Sequence, residues 1–417
     1  MGLIQRSLQI MGTLITMPLV LHALGHKDFG LWAAAVSMVW MANLADLGLG
    51  NALLTAITLE STHDNKNKMK LYSTASLYLA CVLSLFVGAL TLISVRFLTS
   101  SSTRDVYQIA SLALAINIPA SLAGALWSGL QRVYMVWVWE AIQTVLAVII
   151  MLLLTKTTLN VRFYVFTTMG TLLICNYGSL IHVLVKHPEL RPGRINGRNL
   201  IDMWRKLISK STPYFLLGLS ATLSVSSDNI IALSILGPEA AARMAILQRA
   251  GMSAYSLIWS ITQSLWPAYA DAAERGDHAW IRRHLISGMA LVILCLLVGC
   301  SVLIIFGQRM LEIWLGESLK FNSEMLWAMA AWIAVPALGR IPDLLLNALE
   351  VIWFQVLVAL IYSCIAFILK LHLASSFGIA GIMMATGIAY SITHLPAYFG
   401  WIINWIRRTT SIDRLSL

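Results

Sequence analysis

Between His284 and Gln308 the chain reads HLISGMALVILCLLVGCSVLIIFGQ, with no Asp, Glu, Lys or Arg. A membrane-crossing α-helix needs about 20 mostly apolar residues to span a hydrocarbon layer of about 30 Å. This stretch meets that requirement unaided. It has counterparts at Leu71–Val95, Val106–Gln131, Phe163–Val185 and Ala250–Ala270, which lack the same four residue types. Reading outward from these runs at the same window length predicts spans at 4–24, 29–57, 71–95, 106–130, 133–155, 162–186, 211–236, 243–270, 284–307, 324–349, 351–372 and 377–406. The expected fold is therefore an all-α integral membrane protein with about twelve transmembrane helices.

Composition agrees. Of 417 residues, 59% are hydrophobic and 12% charged, with a mean hydropathy of +0.77. Soluble domains carry about 25% charged residues, so an ordinary soluble, disordered or fibrous protein is excluded. The net charge of +10 lacks the basic soluble face that nucleic acid would need; in a membrane protein it marks the loops that stay in the cytoplasm. Cys81, Cys175, Cys295, Cys300 and Cys364 all lie in apolar runs, so no disulfide framework is expected.

Of the 29 Lys and Arg residues, seventeen fall in connections on one side if both termini are cytoplasmic. Nine fall on the other side: Lys27, Arg96, Arg104, Lys156, Arg162, Arg243, Arg309, Lys320 and Lys370. That bias predicts both termini inside. The longest connection divides the chain into an N-terminal lobe of six helices (1–186), a cytoplasmic linker (187–210) and a C-terminal lobe of six helices (211–417). Within the linker, Leu200, Met203, Trp204, Leu207 and Ile208 oppose Asp202, Arg205, Lys206 and Lys210, the pattern of a short helix lying in the headgroup layer. Leu24-Gly25 closes the first helix and Leu236-Gly237 the seventh, a weak echo of an internal repeat.

Three arginines remain inside spans: Arg6, Arg249 and Arg340. Ionisable groups in a membrane are costly, so each invites a functional explanation. Arg249 heads a stripe with Ser253, Ser256, Ser260, Gln263 and Pro267, which fall within about 80° of one another on a helix. Similar stripes run through Asn117, Ser121, Gly124, Ser128 and Gln131, and through Tyr214, Gly218, Thr222, Asp228 and Asn229. Stripes carrying Arg, Asp and Gln from both halves predict a shared, water-accessible central cavity. Arg249, Arg340, Arg6, Gln263 and Ser256 are the candidates for binding an anionic headgroup. Asp343, three residues beyond Arg340, offers an internal ion pair, and Arg6 has the alternative of snorkelling to the headgroups. Asp228, Asp46 and Asp343 are the candidates for coupling to H+ or Na+; pairing with the arginines is the alternative for these acids. His22, His182 and His394 are scattered without metal-ligand spacing. No metal site, cofactor motif or catalytic constellation is expected, and no loop is large enough to hold a catalytic domain.

The segment Leu24-Gly25-His26-Lys27-Asp28-Phe29-Gly30-Leu31-Trp32, with Ala45-Asp46-Leu47-Gly48-Leu49-Gly50-Asn51-Ala52 after it, resembles the opening of bacterial polysaccharide flippases. These are the O-antigen, Wzx-type members of the multidrug/oligosaccharidyl-lipid/polysaccharide (MOP) superfamily. Trp266-Pro267-Ala268-Tyr269-Ala270 leading into Arg275-Gly276-Asp277, and Ile313-Trp314-Leu315-Gly316, are similar to later family segments. The resemblance implies two six-helix lobes around a central cavity. It also implies an undecaprenyl-diphosphate-linked oligosaccharide moved from the cytoplasmic to the periplasmic leaflet of the bacterial inner membrane by alternating access. Further partners would be membrane lipids, a polysaccharide polymerase and chain-length machinery. A diphosphate headgroup suits the forked geometry of guanidinium donors.

The rivals are a multidrug and toxin extrusion-type efflux transporter and a membrane-embedded glycan polymerase or glycosyltransferase. The first would favour acids over arginines in its cavity, and the second would need a sizeable loop outside the bilayer. Ala45-Asp46-Leu47-Gly48 also brushes against the major facilitator motif after helix two, but no basic residue follows until Lys66.

Overall fold

A computed structural model of the protein describes residues 2–40, 46–63, 65–94, 101–155, 160–263, 265–315, 321–349 and 351–415. Every regular element among them is helical. Nine stretches of the described residues are long and apolar enough to cross a membrane. Several of these hold more than one helix, and glycines in the left-handed region turn two of the long helices, at Gly25 (φ 71°, ψ 171°) and Gly378 (φ 59°, ψ −137°). The described residues of the expected span 243–270, 243–263 and 265–270, are helical but not among the nine, since their polar stripe lowers the hydropathy.

The chain forms two compact units, Met1–Thr222 and Leu223–Leu417. The first contains α1 (Gly2–Trp40, turned at Gly25), α2 (Leu49–Thr62), α3 (Lys66–Ser94), α4 (Ser101–Gly129), α5 (Val133–Leu154), α6 (Val161–Lys186) and α7 (Gly197–Ala221). Helix α4 is central to it, packed against α2, α3 and α6, while α1 lies along α5. The core is fully buried at Leu53, Ile57, Leu122, Leu126 and Trp127. Where the expected second span bends, Asp46 accepts hydrogen bonds from the backbone N–H groups of Gly48 (2.9 Å) and Gly50 (3.2 Å). Gly48 has φ 73°, and a Cβ there would stand 2.6 Å from the Ser211 carbonyl, so only glycine lets α2 approach α7 this closely.

The predicted amphipathic helix is the first half of α7 rather than a separate element. Its polar face is exposed at Asp202, Arg205, Lys206 and Lys210. Part of its apolar face packs on protein, while Ile208 stays 52% exposed. Met203 and Leu207 join the buried core, and the Trp204 indole donates to the Ala75 carbonyl (2.8 Å). An apolar stripe buries itself on nearby apolar surface, and here α2 and α3 supply part of it.

The second unit begins inside a π-helical segment, Thr222–Ser226. It continues through α8 (Ser227–Ile231), a second π segment (Ala232–Leu236), α9 (Pro238–Gln263), α10 (Leu265–Glu274), α11 (His278–Leu315), α12 (Ser323–Leu338), α13 (Arg340–Ala348), α14 (Ile352–Ile392, turned at Gly378) and α15 (His394–Leu415). Helix α12 is capped by Asn322, whose side chain accepts from the Met325 N–H, and packs against α9, α11 and α14. Helix α11 carries the stretch quoted above. Leu285, Gly288, Val292 and Leu296 are buried along one stripe, whereas Ile286, Ile305 and Ile313 are 74%, 69% and 75% exposed. Water would penalise that second face; lipid does not.

The Leu-Gly echo has a structural counterpart. Gly237 (φ 92°, ψ 177°) repeats the backbone conformation of Gly25, which residues with a Cβ avoid. The packing repeats as well: α2 in the first unit lies on α4, and α10 in the second lies on α13.

Candidate functional site

In the first unit, Arg6 is half-buried on α1. Glu140 of α5 accepts a 2.5 Å hydrogen bond from the amide of neighbouring Gln5 and feels the charge of Arg6. Arg6 therefore has an acid close by that sequence spacing did not pair with it. On the α4 stripe, Asn117 accepts from the Asn176 amide of α6 (2.8 Å). That stripe residue serves helix packing. Asp46 is engaged as the local cap of α2.

Most of the candidate residues lie in the second unit. Arg249 is half-buried on α9. Below it, Ser253 donates to the Arg249 carbonyl (2.9 Å) and Ser256 to the Ser253 carbonyl (2.7 Å). These hydroxyls satisfy themselves on their own helix, a common way of placing serine at membrane depth. The side chains of Ser260, Gln263, Trp266 and Pro267 lie outside the described residues.

Arg340 opens α13 and forms the internal pair that its spacing allowed. Its Nη1 lies 2.7 Å from Asp343 Oδ2, with the arginine side chain 3% exposed. The guanidinium also sits 3.5 Å above the Trp259 ring of α9. Cation–π stacking and a charge-assisted hydrogen bond together fix it in place.

Asp228 lies on α8 between the two π segments, and its side chain is fully buried. Its partner is Lys370 of α14, equally buried, with Nζ 2.5 Å from Oδ1. Lys370 also donates to the Ser224 carbonyl. This corrects the sequence reading, which placed Lys370 in an outer connection. It lies well inside the apolar run Ile352–Ile392, eight residues before the Gly378 turn. Beside it, Asn229 donates to Gln248 (2.6 Å), and Gln248 donates in turn to the Val225 carbonyl (2.9 Å).

Sequence reasoning also missed the aromatic cluster around His394. That ring stacks on Tyr390 (4.3 Å) and meets Tyr362 (4.8 Å) and Tyr398 (5.1 Å) edge-on. His182 packs on Trp127 and accepts a hydrogen bond from the Trp139 indole N–H (3.3 Å), while His22 is exposed. No grouping of His, Cys, Asp and Glu among the described residues could hold a metal ion.

Solved structures that share this fold include transporters of the MOP superfamily. An inward-facing multidrug resistance MATE family transporter of that superfamily matches with a TM-score of 0.75 at 13% identity, over 99% of this chain and 99% of that one. The lipid II flippase MurJ, in an inward closed conformation, matches with a TM-score of 0.74 at 14% identity, over 98% and 88%. A MOP superfamily transporter from Pyrococcus furiosus gives 0.62 at 12% identity, over 98% and 96%. At these identities the likeness is one of fold. The chain is thus a multi-pass membrane protein with the MOP transporter fold. The family model described as polysaccharide biosynthesis protein matches residues 3–273, and the chain belongs to that family. No curated protein matches the sequence.

Proposed function

We propose that this protein is a flippase for lipid-linked oligosaccharides. It would carry undecaprenyl-diphosphate-linked O-antigen or another polysaccharide repeat unit from the cytoplasmic to the periplasmic leaflet by alternating access. The observation that carries the reading is membership of the polysaccharide biosynthesis family in a chain with Arg6 and Arg340 inside stretches apolar enough to span a membrane and Arg249 half-buried on α9. A diphosphate–sugar headgroup needs a polar, cationic route, whereas its lipid tail can remain in the bilayer. The role is transport rather than catalysis. The setting is the inner membrane with both termini cytoplasmic, beside the polymerase and chain-length machinery that would use the product.

In this reading Arg249 is the principal headgroup ligand, with Ser256 and Gln263 on the same helical face. Arg340 and Arg6 take secondary parts, because Asp343 and Glu140 already engage or neighbour them. Asp228 is the principal coupling residue; Asp46 and Asp343 contribute less, being occupied as a cap and as an ion-pair partner. A MATE-type efflux pump has equal support from fold. It would, however, draw on acids available to organic cations, and Asp228 and Asp343 are paired within the second unit.

The test is surface polysaccharide in cells carrying Arg249→Ala or Arg249→Lys at matched protein levels. Export should fall in both, further in the alanine variant, with no change in drug sensitivity. Unchanged export in both variants removes Arg249 from the mechanism.

A further inference from the structure

The surroundings of the Lys370 ammonium are oxygens. Asp228 Oδ1 lies 2.5 Å away, and the Ser224 carbonyl accepts its hydrogen bond. The Tyr362 hydroxyl, on the same helix as Lys370, meets the Ser224 side chain. Among the described residues, the Lys370 ammonium is the group that engages the Asp228 carboxylate.

The helix supplies these oxygens through its winding. Ser224 belongs to the π-helical segment Thr222–Ser226, where the backbone pattern shifts from i→i+4 towards i→i+5 and releases carbonyls from their usual partners. Two successive carbonyls there are met by side chains from other helices: Ser224 by Lys370 of α14, and Val225 by Gln248 of α9. A carboxylate, a released backbone carbonyl and nearby hydroxyls form the donor set that hard cations prefer. An ordinary helix needs none of this, and a buried ion pair is weak support for stability in its own right.

We propose that Asp228 and the π-wound turn before it form an oxygen-lined cation site whose resident cation is the chain's own Lys370 ammonium. While Lys370 is in place, Asp228 binds no Na+, so Na+ exchange at Asp228 does not drive substrate movement. The functional meaning rests on the coupling role proposed for Asp228; the occupancy of the site does not.

The experiment uses the purified full-length protein in detergent. Its thermal unfolding is followed as NaCl replaces choline chloride at constant ionic strength. The wild type should show no saturable Na+ response. Lys370→Ala vacates the site and should gain a saturable upward shift of several degrees in melting temperature with NaCl. The double variant Asp228→Asn/Lys370→Ala should lose that shift. Lys370→Met, which keeps more of the side-chain volume, replaces the alanine variant if that one does not fold.

The proposal is overturned if Na+ stabilises the wild type saturably and Asp228→Asn abolishes the effect. It is also overturned if the Lys370 variant responds to Na+ no more than the double variant does. The wild-type and Asp228→Asn arms decide the first point even if neither Lys370 variant folds. Because the readout is binding, loss of the flippase reading through unchanged glycan export would leave this result standing, and the converse holds.

Discussion

Replacing Lys370 by methionine removes one charge of a pair in which both side chains are 0% exposed. Removing one partner of a buried ion pair costs about 3–5 kcal/mol, because the other charge is left uncompensated. Loss of the donor to the Ser224 carbonyl falls within that range, since an unmet buried acceptor alone costs about 1–3 kcal/mol. Asp228→Leu/Lys370→Met removes both charges, and apolar replacement of a buried pair is near neutral or stabilising by about 1–4 kcal/mol. The double variant should therefore be more stable than Lys370→Met alone. The assay is equilibrium unfolding of the purified protein by titration with choline dodecyl sulfate in mixed micelles, so that choline is the only monovalent cation and Na+ cannot compensate. A double-mutant cycle should give a coupling energy of about 3 kcal/mol or more. Additive effects of the two substitutions, with coupling under about 0.5 kcal/mol, would refute the assignment of Lys370 to the buried interior of α14.

Three further outcomes are expected. Gly48→Ala forces a Cβ against the Ser211 carbonyl at a positive φ and should destabilise the protein by about 1–3 kcal/mol; thermal unfolding in detergent checks it, with Gly124→Ala, where a Cβ meets no neighbour within 4 Å, as control. In the connection after α6, burial alone would raise the Glu189 pKa, but the His187 hydrogen bond, its own backbone N–H and the charges of His187 and Lys66 hold it below the ordinary value of 4.5. Its contribution to stability is thus present above pH 4.5 and lost as pH falls through the lower folded value, so the melting-temperature gap between wild type and Glu189→Gln should be present at pH 7 and close in acid. Arg340→Lys keeps the charge beside Asp343 but loses the planar stack on Trp259, and should cost about 0.5–2 kcal/mol, a loss absent when Trp259 is already leucine.

Much of the fold was legible because lipid imposes a simple rule. The charge-free run His284–Gln308 had to be a buried or lipid-facing helix, and it lies within α11. Helix ends marked by glycine were legible too, since Leu24-Gly25 and Leu236-Gly237 signal their turns through a residue that tolerates positive φ. The amphipathic pattern of 200–208 was legible, with Met203 and Leu207 on protein and Ile208 left exposed. Periodicity shows that an apolar stripe exists and is silent on whether protein or headgroups meet it. The pairing of Arg340 with Asp343 was available because both sit on one turn. Lys370 was not, since its partner Asp228 is far away in sequence and on a different helix. A lysine near the end of an apolar run looks like an interfacial residue. The available signal was Asp228 itself, a mid-helix acid that required a cation from another helix. The π-wound turns around it have no residue signature that periodicity could detect.

The central claim is tested most directly with the purified protein in proteoliposomes containing an undecaprenyl-diphosphate-linked oligosaccharide. The accessibility of the glycan to an enzyme or lectin confined to one side is followed over time. The account predicts protein-dependent transfer of the glycan between leaflets, reduced by Arg249→Ala and less so by Arg249→Lys. Equal rates in protein-free vesicles and in vesicles with the wild-type protein would contradict it.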